Sequence, residues 1–249
     1  MSAVEHLPQP PSLDALCAAG ALALFLDFDG TLVDIAEMPD AIIVPDGLGD
    51  SLSRLAQDLD GRLAIISGRA ITNIESFTGP LAMARAGSHG ADMLLPDGTP
   101  LADAPAAIPD DLRHEMAQFA SRFGLHLEDK PHGAALHFRS NPDLEPIALE
   151  FVREQAQEHR MMVKRGKCVA ELVNRGAEKG SAVRRFMEHG MFAGARPVFI
   201  GDDVTDEDGF AAVSAYGGFG ILVGNREPSD AQYRLEDPAA VLAWLGIAQ

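Results

Sequence analysis

Two acidic segments, each of which follows an apolar run, carry the residue types that could do chemistry. Residues 22–33 read LALFLDFDGTLV, so Asp27 and Asp29 follow a run that is typical of a strand buried on both faces. Residues 198–207, VFIGDDVTDE, repeat this arrangement with four acids: Asp202, Asp203, Asp206 and Glu207. Open α/β sheets bind ligands beyond the carboxyl ends of their strands. We therefore expect the two segments to meet at one sheet edge if their strands are neighbours.

The chemistry that such an edge favours is the binding of a divalent metal. Carboxylates this close together repel each other unless a cation or a proton lies between them. Carboxylate oxygens are the hard ligands that Mg²⁺ prefers. The sequence predicts a site formed by the side chains of Asp27 and Asp202 and the backbone carbonyl of Asp29. Each segment alone could be a solvated turn, but their repetition after two apolar runs favours the metal site.

Two further residues could neutralise a bound phosphate. Ser67 follows the predicted strand 62–66 and precedes Gly68, so its hydroxyl and nearby backbone N–H groups could hold an anion at a helix N-terminus. The alternative is a helix N-cap that serves only stability. Lys179 begins a predicted helix, where a cation is unfavourable relative to the helix dipole and needs an anionic partner. A solvated surface lysine is the alternative there.

Together these residues predict phosphoryl transfer. Asp27 is expected to be the nucleophile, since carboxylates form aspartyl-phosphate intermediates. Asp29 is expected to protonate the departing alcohol and then to activate water, which requires it to hold a proton near neutrality with help from burial and neighbouring negative charge. Ser67 and Lys179 would hold the transferring oxygens, and Thr31 would fix the loop.

Length and charge narrow the class of protein. The chain has 249 residues and a formal net charge of −17, which disfavours nucleic acids and anionic membranes as partners because both need a positive surface. Cys17 and Cys168 are far apart and indicate neither a disulfide framework nor a zinc site. No apolar run approaches the ~18 residues of a membrane helix. We expect a soluble, cytoplasmic monomer with a loose Pro-rich lead-in over residues 1–11.

The order of the predicted elements indicates an α/β fold with a doubly wound, Rossmann-like parallel sheet. Strands and helices alternate over residues 22–79, and the pattern resumes from residue 178 to a closing helix near residue 238. From about Asp103, a βαββαβ-like stretch has its own helices and strands. We therefore predict a core domain of residues 1–102 and 175–249, with a smaller inserted α/β domain of residues 103–174.

These motifs, in this order, resemble those of the haloacid dehalogenase superfamily of phosphatases. The matching pieces are DFDGT at 27–31, Ser67, Lys179 and the GDDVTD run from Gly201. More narrowly, the chain resembles the trehalose-6-phosphate phosphatase family. The supporting strings span most of the chain: SGR at 67–69, GSHGAD at 87–92, the pieces around Glu128, Lys130, His137 and Arg139, ELVNRGAEKG from Glu171, and GDDVTDEDGF from Gly201.

This resemblance implies a Mg²⁺-dependent phosphatase that acts on a small-molecule sugar phosphate, trehalose 6-phosphate, with the insert as an α/β cap hinged near Asp103 and Gly176. It implies Asp27, Asp29, Ser67 and Lys179 as catalytic residues. Asp202 would be the metal ligand of the last motif. Asp203 and Asp206 would act through a water molecule or by contacts with the metal ligands. It assigns nine residues to substrate binding: Thr31, Gly68, Arg69, His89, Glu128, Lys130, Arg139, Glu171 and Asn174.

Two features qualify this assignment. For the substrate-binding residues of the insert, the alternative is ordinary surface charge. The family usually has a proline near Asn174, whereas this chain reads LVNRG there. The local path of the chain from the insert back to the core therefore departs from the family pattern.

Three other functions share some of these features. A related phosphatase for sucrose phosphate or mannosyl phosphoglycerate would have the same core motifs. A receiver domain of a two-component system also combines acids, Mg²⁺ and a lysine, but it needs neither a second acid at Asp29 nor a large insert. A non-catalytic sugar-phosphate sensor would bind its ligand without releasing phosphate.

Overall fold

The computed structural model describes residues 7–36, 38–101, 107–130, 132–166, 168–174 and 176–247. The chain divides into two compact units. The core unit consists of Met1–Leu101 and Glu178–Gln249, and the insert unit consists of Ala102–Ala177. The hinge predicted near Asp103 lies outside the described residues.

The strands and helices are numbered in chain order. The strands are β1 (Leu22–Leu26), β2 (Leu63–Ile66), β3 (Ala84–Gly87), β4 (Asp92–Leu94), β5 (His126–Lys130), β6 (Gly133–His137), β7 (Met162–Gly166), β8 (Val169–Val173), β9 (Arg196–Gly201), β10 (Phe219–Val223) and β11 (Tyr233–Leu235). The helices are α1 (Leu13–Ala19), α2 (Leu48–Asp58), α3 (Ile71–Thr78), α4 (Asp110–Phe123), α5 (Glu145–Glu158), α6 (Lys179–Glu188), α7 (Glu207–Ala215) and α8 (Pro238–Trp244). Within the described ranges, no helix has the length and apolar character that crossing a membrane requires.

The core unit contains a sheet with the strand order β11-β10-β9-β1-β2-β3-β4. Neighbouring strands run parallel except β4, which runs antiparallel to β3. β1 lies between β9 and β2, with Leu26 opposite Ile200 on one side and Ile65 on the other. The predicted α/β fold with a doubly wound parallel sheet is confirmed. The ends of β1 and β9 lie side by side, as the metal-site hypothesis requires.

Burial on both faces explains the unbroken apolar run of β1. Alternate side chains enter different apolar clusters, so Leu24 shares a cluster with Leu52 of α2, whereas Phe25 belongs to a cluster on the other face. The Phe25 ring stacks on Phe186 of α6, with ring centroids 6.1 Å apart. Because helices cover both faces of the sheet, the strand has no polar face, and its polar residues begin only where the strand ends.

The insert unit has an antiparallel sheet in the order β5-β6-β8-β7. Helices α4 and α5 pack on one face, where Met116 and Val152 share an apolar cluster with Leu136 and Leu172. The element order is α-β-β-α-β-β, so the predicted βαββαβ order is wrong. The insert begins with α4 and has two strands after α5, of which β7 (MVKRG) is a polar edge strand that pairs with β8.

The residues before α1 are held more firmly than expected. The Pro8 carbonyl accepts a hydrogen bond from the Arg234 N–H (2.9 Å), which extends the pairing of β11. The Pro11 carbonyl accepts a hydrogen bond from the Trp244 indole N–H, also at 2.9 Å. The prediction of a loose lead-in is wrong for residues 7–11, whereas residues 1–6 lie outside the described part of the chain.

Candidate active site

Asp27 is buried at the carboxyl end of β1, where its backbone N–H bonds to the Ile200 carbonyl of β9 at 2.9 Å. The next residues turn back on themselves, since the Gly30 N–H bonds to the Val33 carbonyl at 2.7 Å. Gly30 has a φ of +77°, and a Cβ there would collide with the carboxylate of Asp202. Glycine is therefore required for two reasons, the left-handed backbone and the close approach of the second acidic segment.

Lys179 links the two acidic segments. Its Nζ lies 2.7 Å from Oδ1 of Asp27 and 2.6 Å from Oδ1 of Asp206, and all three side chains are buried. Burial by itself would lower the pKa of Lys179, but the negative charges of Asp206 and Asp27 outweigh it and raise that pKa above its ordinary value. The unfavourable position of this lysine at the start of α6 is thus balanced by two carboxylates.

Asp206 organises the second acidic segment through the hydrogen bonds that its carboxylate accepts. Its Oδ1 accepts from Lys179, and its Oδ2 accepts from the backbone N–H groups of Asp202 (3.0 Å) and Asp203 (2.9 Å). Asp203 in turn caps the short helical turn that contains Asp206. Both oxygens of Asp206 are therefore engaged by donors of the protein, and this residue shapes the backbone that carries Asp202.

The carboxylates of Asp27, Asp202 and Asp206 together form a group that fits a metal ion. One ligand atom from each lies within 4.8 Å of the others. Within the described structure, Oδ1 of Asp202 is buried without a hydrogen-bond partner. Burial and the negative charge of Asp206 raise the pKa of Asp202 to about 7, although the positive charge of Lys179 acts in the opposite direction. Three acids thus face one lysine, and the excess negative charge and the oxygen donors suit Mg²⁺.

Asp27 itself experiences the same excess of negative charge. Burial raises its pKa well above the ordinary value, and Asp206 and Asp202 add to this effect against the opposing charge of Lys179. The negative charge is in excess because the single ammonium of Lys179 is shared between two buried carboxylates, while a third carboxylate lies nearby. A divalent cation beside Asp27 would favour its ionised form, which is the form that can attack phosphorus.

Ser67 follows β2 directly and is buried. Its Oγ accepts a hydrogen bond from the Arg69 N–H at 3.1 Å. Helix α3 begins only at Ile71, with Ala70 as its N-cap, so the alternative that Ser67 is a helix N-cap is wrong. The Ser67 carbonyl accepts from the His89 N–H at 2.8 Å, and a Cβ on Gly68 would lie 2.8 Å from the His89 ring. The SGR and GSHGAD loops are therefore interlocked.

Arg69 and Asp29 form an ion pair that the sequence did not indicate. Two guanidinium nitrogens of Arg69 lie 2.6 and 2.7 Å from the two carboxylate oxygens of Asp29. Arg69 also donates to Asn73 and lies over the rings of Phe28 and Phe77. The predicted environment of Asp29, burial with negative neighbours, is wrong: a third of its side chain is exposed and its partner is a cation. Spacing alone could not reveal a pair separated by 40 residues.

Thr31, like Asp202, has a buried side-chain oxygen without a hydrogen-bond partner among the described residues. Its side chain is completely buried, and Oγ1 has no hydrogen-bond partner in the part of the chain that the structure describes. Its backbone N–H bonds to the Phe28 carbonyl at 3.4 Å, within the turn that follows β1. The threonine lies in the turn as expected, but its hydroxyl does not tie that turn together.

In the insert unit, Glu128, Lys130 and Glu171 lie on the sheet face opposite the helices. Ala135 of β6 pairs with both Glu128 of β5 and Glu171 of β8, which puts these two glutamates in one row across the sheet. Lys130 Nζ lies 2.5 Å from Glu171 and 3.7 Å from Glu128. Lys130 and Glu171 are buried, which is not what ordinary surface charge predicts.

His137 completes this group and was not assigned a role from the sequence. Its Nε2 lies 2.9 Å from Oε2 of Glu128. Burial tends to raise the pKa of Glu128, but the hydrogen bond with His137 and the charge of Lys130 outweigh it and hold that pKa below its usual value. The available signal was the position of His137 in the HFR string, two residues before Arg139.

Arg139 and Asn174 lie in turns next to this sheet. Arg139 is in the turn after β6, and Asn174 directly follows β8. The Asn174 carbonyl accepts a hydrogen bond from the Ala177 N–H at 3.1 Å, which closes a turn in place of the proline that the resemblance implies. Arg175, within the same string, lies outside the described residues.

Comparison with known proteins adds a family to this geometry. The family model described as trehalose-phosphatase matches residues 25–239. A trehalose-6-phosphate phosphatase of Escherichia coli is 36% identical over 244 residues, which is 97% of this chain and 90% of that relative. A probable trehalose-phosphate phosphatase of Sinorhizobium fredii is 40% identical over 211 residues, 83% of this chain and 79% of the relative.

Solved structures show the same architecture. The C-terminal domain of a trehalose-6-phosphate phosphatase from C. albicans matches with a TM-score of 0.81 and 26% identity, covering 97% of each chain. A haloacid dehalogenase-like hydrolase from Bacteroides thetaiotaomicron matches with a TM-score of 0.65, covering 91% of this chain and 99% of the other. At 15% identity, this second likeness concerns the fold alone.

Proposed function

The chain belongs to the trehalose-phosphatase family, and from this premise we propose that it hydrolyses trehalose 6-phosphate to trehalose and inorganic phosphate. Family membership makes it a phosphoric monoester hydrolase. The observation that carries the proposal is the group of buried Asp27 and Lys179 with half-buried Asp202 at the adjacent ends of β1 and β9. A carboxylate oriented by a lysine, beside an acid with an unpartnered oxygen, is suited to phosphoryl transfer.

In the first step, Asp27 attacks phosphorus with the carboxylate oxygen that Lys179 does not hold. Lys179 contacts Oδ1, so Oδ2 is the expected nucleophilic atom. A bond forms between Oδ2 and phosphorus while the bond between phosphorus and the sugar oxygen breaks. Asp29 gives its proton to that oxygen, so the sugar leaves as a neutral alcohol and an aspartyl phosphate remains.

In the second step, a water molecule attacks the phosphorus of the aspartyl phosphate. Asp29, now ionised, accepts the proton of this water, and the bond between phosphorus and Oδ2 of Asp27 breaks. Inorganic phosphate leaves, and the carboxylate of Asp27 is regenerated. The two-point pairing of Arg69 with Asp29 fixes the direction of the ionised carboxylate, which suits the second step. For the first step, Asp29 has to leave this pairing and carry a proton.

Three donors could hold the transferring oxygens. Lys179 uses two of its N–H groups on Asp27 and Asp206, which leaves a third for a phosphoryl oxygen. The Ser67 hydroxyl accepts from the Arg69 N–H and can still donate its own proton. The unpartnered hydroxyl of Thr31 is the third candidate.

We propose Mg²⁺ as the metal, held by Asp27, Asp202 and the backbone carbonyl of Asp29. The support is the buried, unpartnered Oδ1 of Asp202 and the surplus of three acids over one lysine. Bound Mg²⁺ would supply the positive charge that reduces repulsion between Asp27 and the phosphate and stabilises the transition state. Asp203 and Asp206 would not bind the metal directly but would shape the backbone that carries Asp202.

We propose that the insert unit is the cap and selects the sugar. Glu128, Lys130 and Glu171 offer several charged hydrogen-bonding groups on one sheet face, and a polyol has many donors and acceptors but little apolar surface. Arg139 and Asn174, in the adjoining turns, would complete the set. A cap that closes for the first step and opens for the second would exclude water when it is harmful and admit it when it is needed.

The test is phosphate release from trehalose 6-phosphate, with glucose 6-phosphate, sucrose 6-phosphate and mannosyl-3-phosphoglycerate in parallel, each with Mg²⁺ and with chelator. We expect release from trehalose 6-phosphate to be the fastest and to stop with chelator. Faster release from another sugar phosphate would assign the related phosphatase instead. Tight binding of trehalose 6-phosphate without release of phosphate would identify a sensor.

A further inference from the structure

Arg226, in the loop after β10, contacts the backbone of the second acidic segment. Its Nε donates to the carbonyl of Asp202 and its Nη2 to the carbonyl of Asp203, each at 3.3 Å. Its Nη1 donates to the Pro228 carbonyl of its own loop at 2.8 Å, and its guanidinium pairs with the carboxylate of Glu207. Arg226 thus has four partners, and two of them are the backbone carbonyls of Asp202, the proposed metal ligand, and of the residue after it.

The same peptide groups are held from the opposite direction. The Asp206 carboxylate accepts the N–H groups of Asp202 and Asp203, while Arg226 donates to their carbonyls. The backbone around Asp202 is therefore fixed on both sides. Its carboxylate lies against Gly30, where a Cβ would collide with it, and its buried Oδ1 has no partner among the described residues.

Glu207 holds the Arg226 loop, the segment after β10 that contains Arg226 and Asp230, in place. One of its carboxylate oxygens pairs with Arg226, and the other accepts the Asp230 N–H at 2.8 Å. The side chains of Arg226 and Glu207 are 24% and 22% exposed, so solvent screens their charges only in part. The Arg226 loop is consequently held against the acidic segment at both of its ends.

We propose that Arg226 is a positioning residue of the metal site, which holds the carbonyls of Asp202 and Asp203 so that the Asp202 carboxylate is directed towards Mg²⁺. The inference rests on the Mg²⁺ site of the proposed function. Arg226 touches neither the substrate nor the metal in this account; it acts through the backbone that carries the ligand. Residues that orient a ligand from behind typically change metal affinity by ~10- to 100-fold when they are replaced.

The sign of the effect separates positioning from simple charge. Arg226 brings a positive charge close to a cation site, so by charge alone its removal should strengthen Mg²⁺ binding. Positioning predicts the opposite, because a freed segment no longer presents the Asp202 carboxylate in one direction. The variants Arg226→Met and Arg226→Lys separate these effects further. Lysine keeps the charge, but its single ammonium cannot replace the forked guanidinium that contacts two carbonyls and a carboxylate at once.

The experiment is calorimetric titration of Mg²⁺ into the metal-free, full-length protein without substrate. We expect both Arg226→Met and Arg226→Lys to raise the dissociation constant for Mg²⁺ by about tenfold or more. We also expect kcat on p-nitrophenyl phosphate at saturating Mg²⁺ to stay within about twofold of the unmodified protein. An unchanged or lower dissociation constant in Arg226→Met would overturn the inference, as would wild-type binding in Arg226→Lys.

A matched control removes the same charge elsewhere. Arg54 is exposed on α2 and donates to the Ser51 hydroxyl, so Arg54→Met should leave Mg²⁺ binding unchanged. Circular dichroism and melting in chelator establish that each variant folds, with the lysine variant as the milder change. If the unmodified protein binds no Mg²⁺, the proposed metal site itself fails. If it binds and Arg226→Met binds equally well, only the role of Arg226 is refuted.

Discussion

The core unit and the insert unit each hold a buried lysine between two carboxylates, yet the two groups have different charge balances. In the core unit, Lys179 lies between Asp27 and Asp206. In the insert unit, Lys130 lies 2.5 Å from Glu171 and 3.7 Å from Glu128. A further acid, Asp202, adds negative charge to the first group, whereas a histidine, His137, joins the second.

The difference teaches what each group can bind. In the core unit the three acids exceed the one lysine, and burial together with the charge of Asp206 raises the pKa of Asp202 to about 7. A cation therefore gains most there. In the insert unit, burial tends to raise the pKa of Glu128, but the hydrogen bond with His137 and the charge of Lys130 hold it below its ordinary value. This group therefore lacks the additional acid of the core group, and its charged side chains are suited to hydrogen bonds with hydroxyls.

The position of the two groups follows from side-chain length and backbone. The short aspartates of the core group stand in turns at strand ends, where backbone hydrogen bonds fix them to within a narrow range. The longer glutamates of the insert group project from the face of a sheet, where neighbouring strands set their spacing. Reacting atoms need the first kind of placement, and recognition of a polyol is compatible with the second.

The largest expected effect breaks the core group alone. Asp27→Asn should lower phosphate release by at least ~10⁴-fold, because removing a nucleophile eliminates the covalent step. The amide is close in size to the carboxylate, so circular dichroism should be unchanged. Asp34→Asn, an exposed acid seven positions along the chain, serves as the matched control and should retain activity. Substantial turnover in Asp27→Asn would refute the assignment of the nucleophile.

The next effect breaks the insert group and leaves the core group intact. Glu128→Ala should lower kcat/KM for trehalose 6-phosphate by about 10- to 100-fold, the usual range for one or two charged hydrogen bonds. Hydrolysis of p-nitrophenyl phosphate, which has no sugar, should be nearly unchanged. Asp129→Ala is the control, since Asp129 is the next residue of β5 and pairs with Arg113. Equal losses on both substrates would remove the insert from specificity.

A smaller effect concerns the Arg69 and Asp29 pair within the core unit. Arg69→Lys keeps the charge but loses the two-point contact with Asp29. We expect kcat for the sugar phosphate to fall by about tenfold, because its alcohol needs a well-placed proton donor. p-Nitrophenol is a good leaving group and needs little protonation, so its kcat should fall much less. A rise in KM with an unchanged kcat would instead assign Arg69 to the substrate-binding role that the sequence predicted.

The smallest effect is the pH dependence of stability in chelator. Burial, followed by the charge of Asp206, raises the pKa of Asp202 from 3.8 to about 7 in the folded protein. Between these values the folded protein binds more protons than the unfolded chain, so stability falls as the pH rises through this window. We expect Tm to fall by a few degrees from pH 5 to pH 8.

Two comparisons check the cause of this pH dependence. Asp202→Asn should flatten the decline, because the neutral amide has no ionised form to destabilise. Added Mg²⁺ should raise Tm more at pH 8 than at pH 5, since the metal binds the ionised carboxylates. The same pH dependence in Asp202→Asn as in the unmodified protein would show that another group is responsible.

The sequence predicted the framework of the molecule more fully than its contacts. The α/β fold and the parallel sheet were correct because buried strands have a strong local signature, as β1 illustrates. The lead-in was predicted to be loose because its hydrogen-bond partners, Arg234 and Trp244, are far away in the chain. The expected cytoplasmic location and monomeric state stay predictions, as do the roles of the site residues.

Within the site, residue types were predictable and their pairing was not. Local pattern alone singles out Asp27, Asp29, Ser67 and Lys179, because each lies where an apolar strand ends or a helix begins. The same pattern does not indicate that Arg69 pairs with Asp29, 40 positions away, or that His137 pairs with Glu128. It also led to an incorrect environment for Asp29.

The amino-acid sequence by itself determined where carboxylates would follow buried strands, and so which chemistry the protein could perform. Tertiary structure decided which acid faces which cation: Asp206 holds Lys179 and the backbone of its own segment, while Asp202 keeps an oxygen without a partner. The physical reason is that burial periodicity is local, whereas ion pairing depends on strand order and register. β9 and β1 are neighbours in space although about 170 residues separate them in the chain.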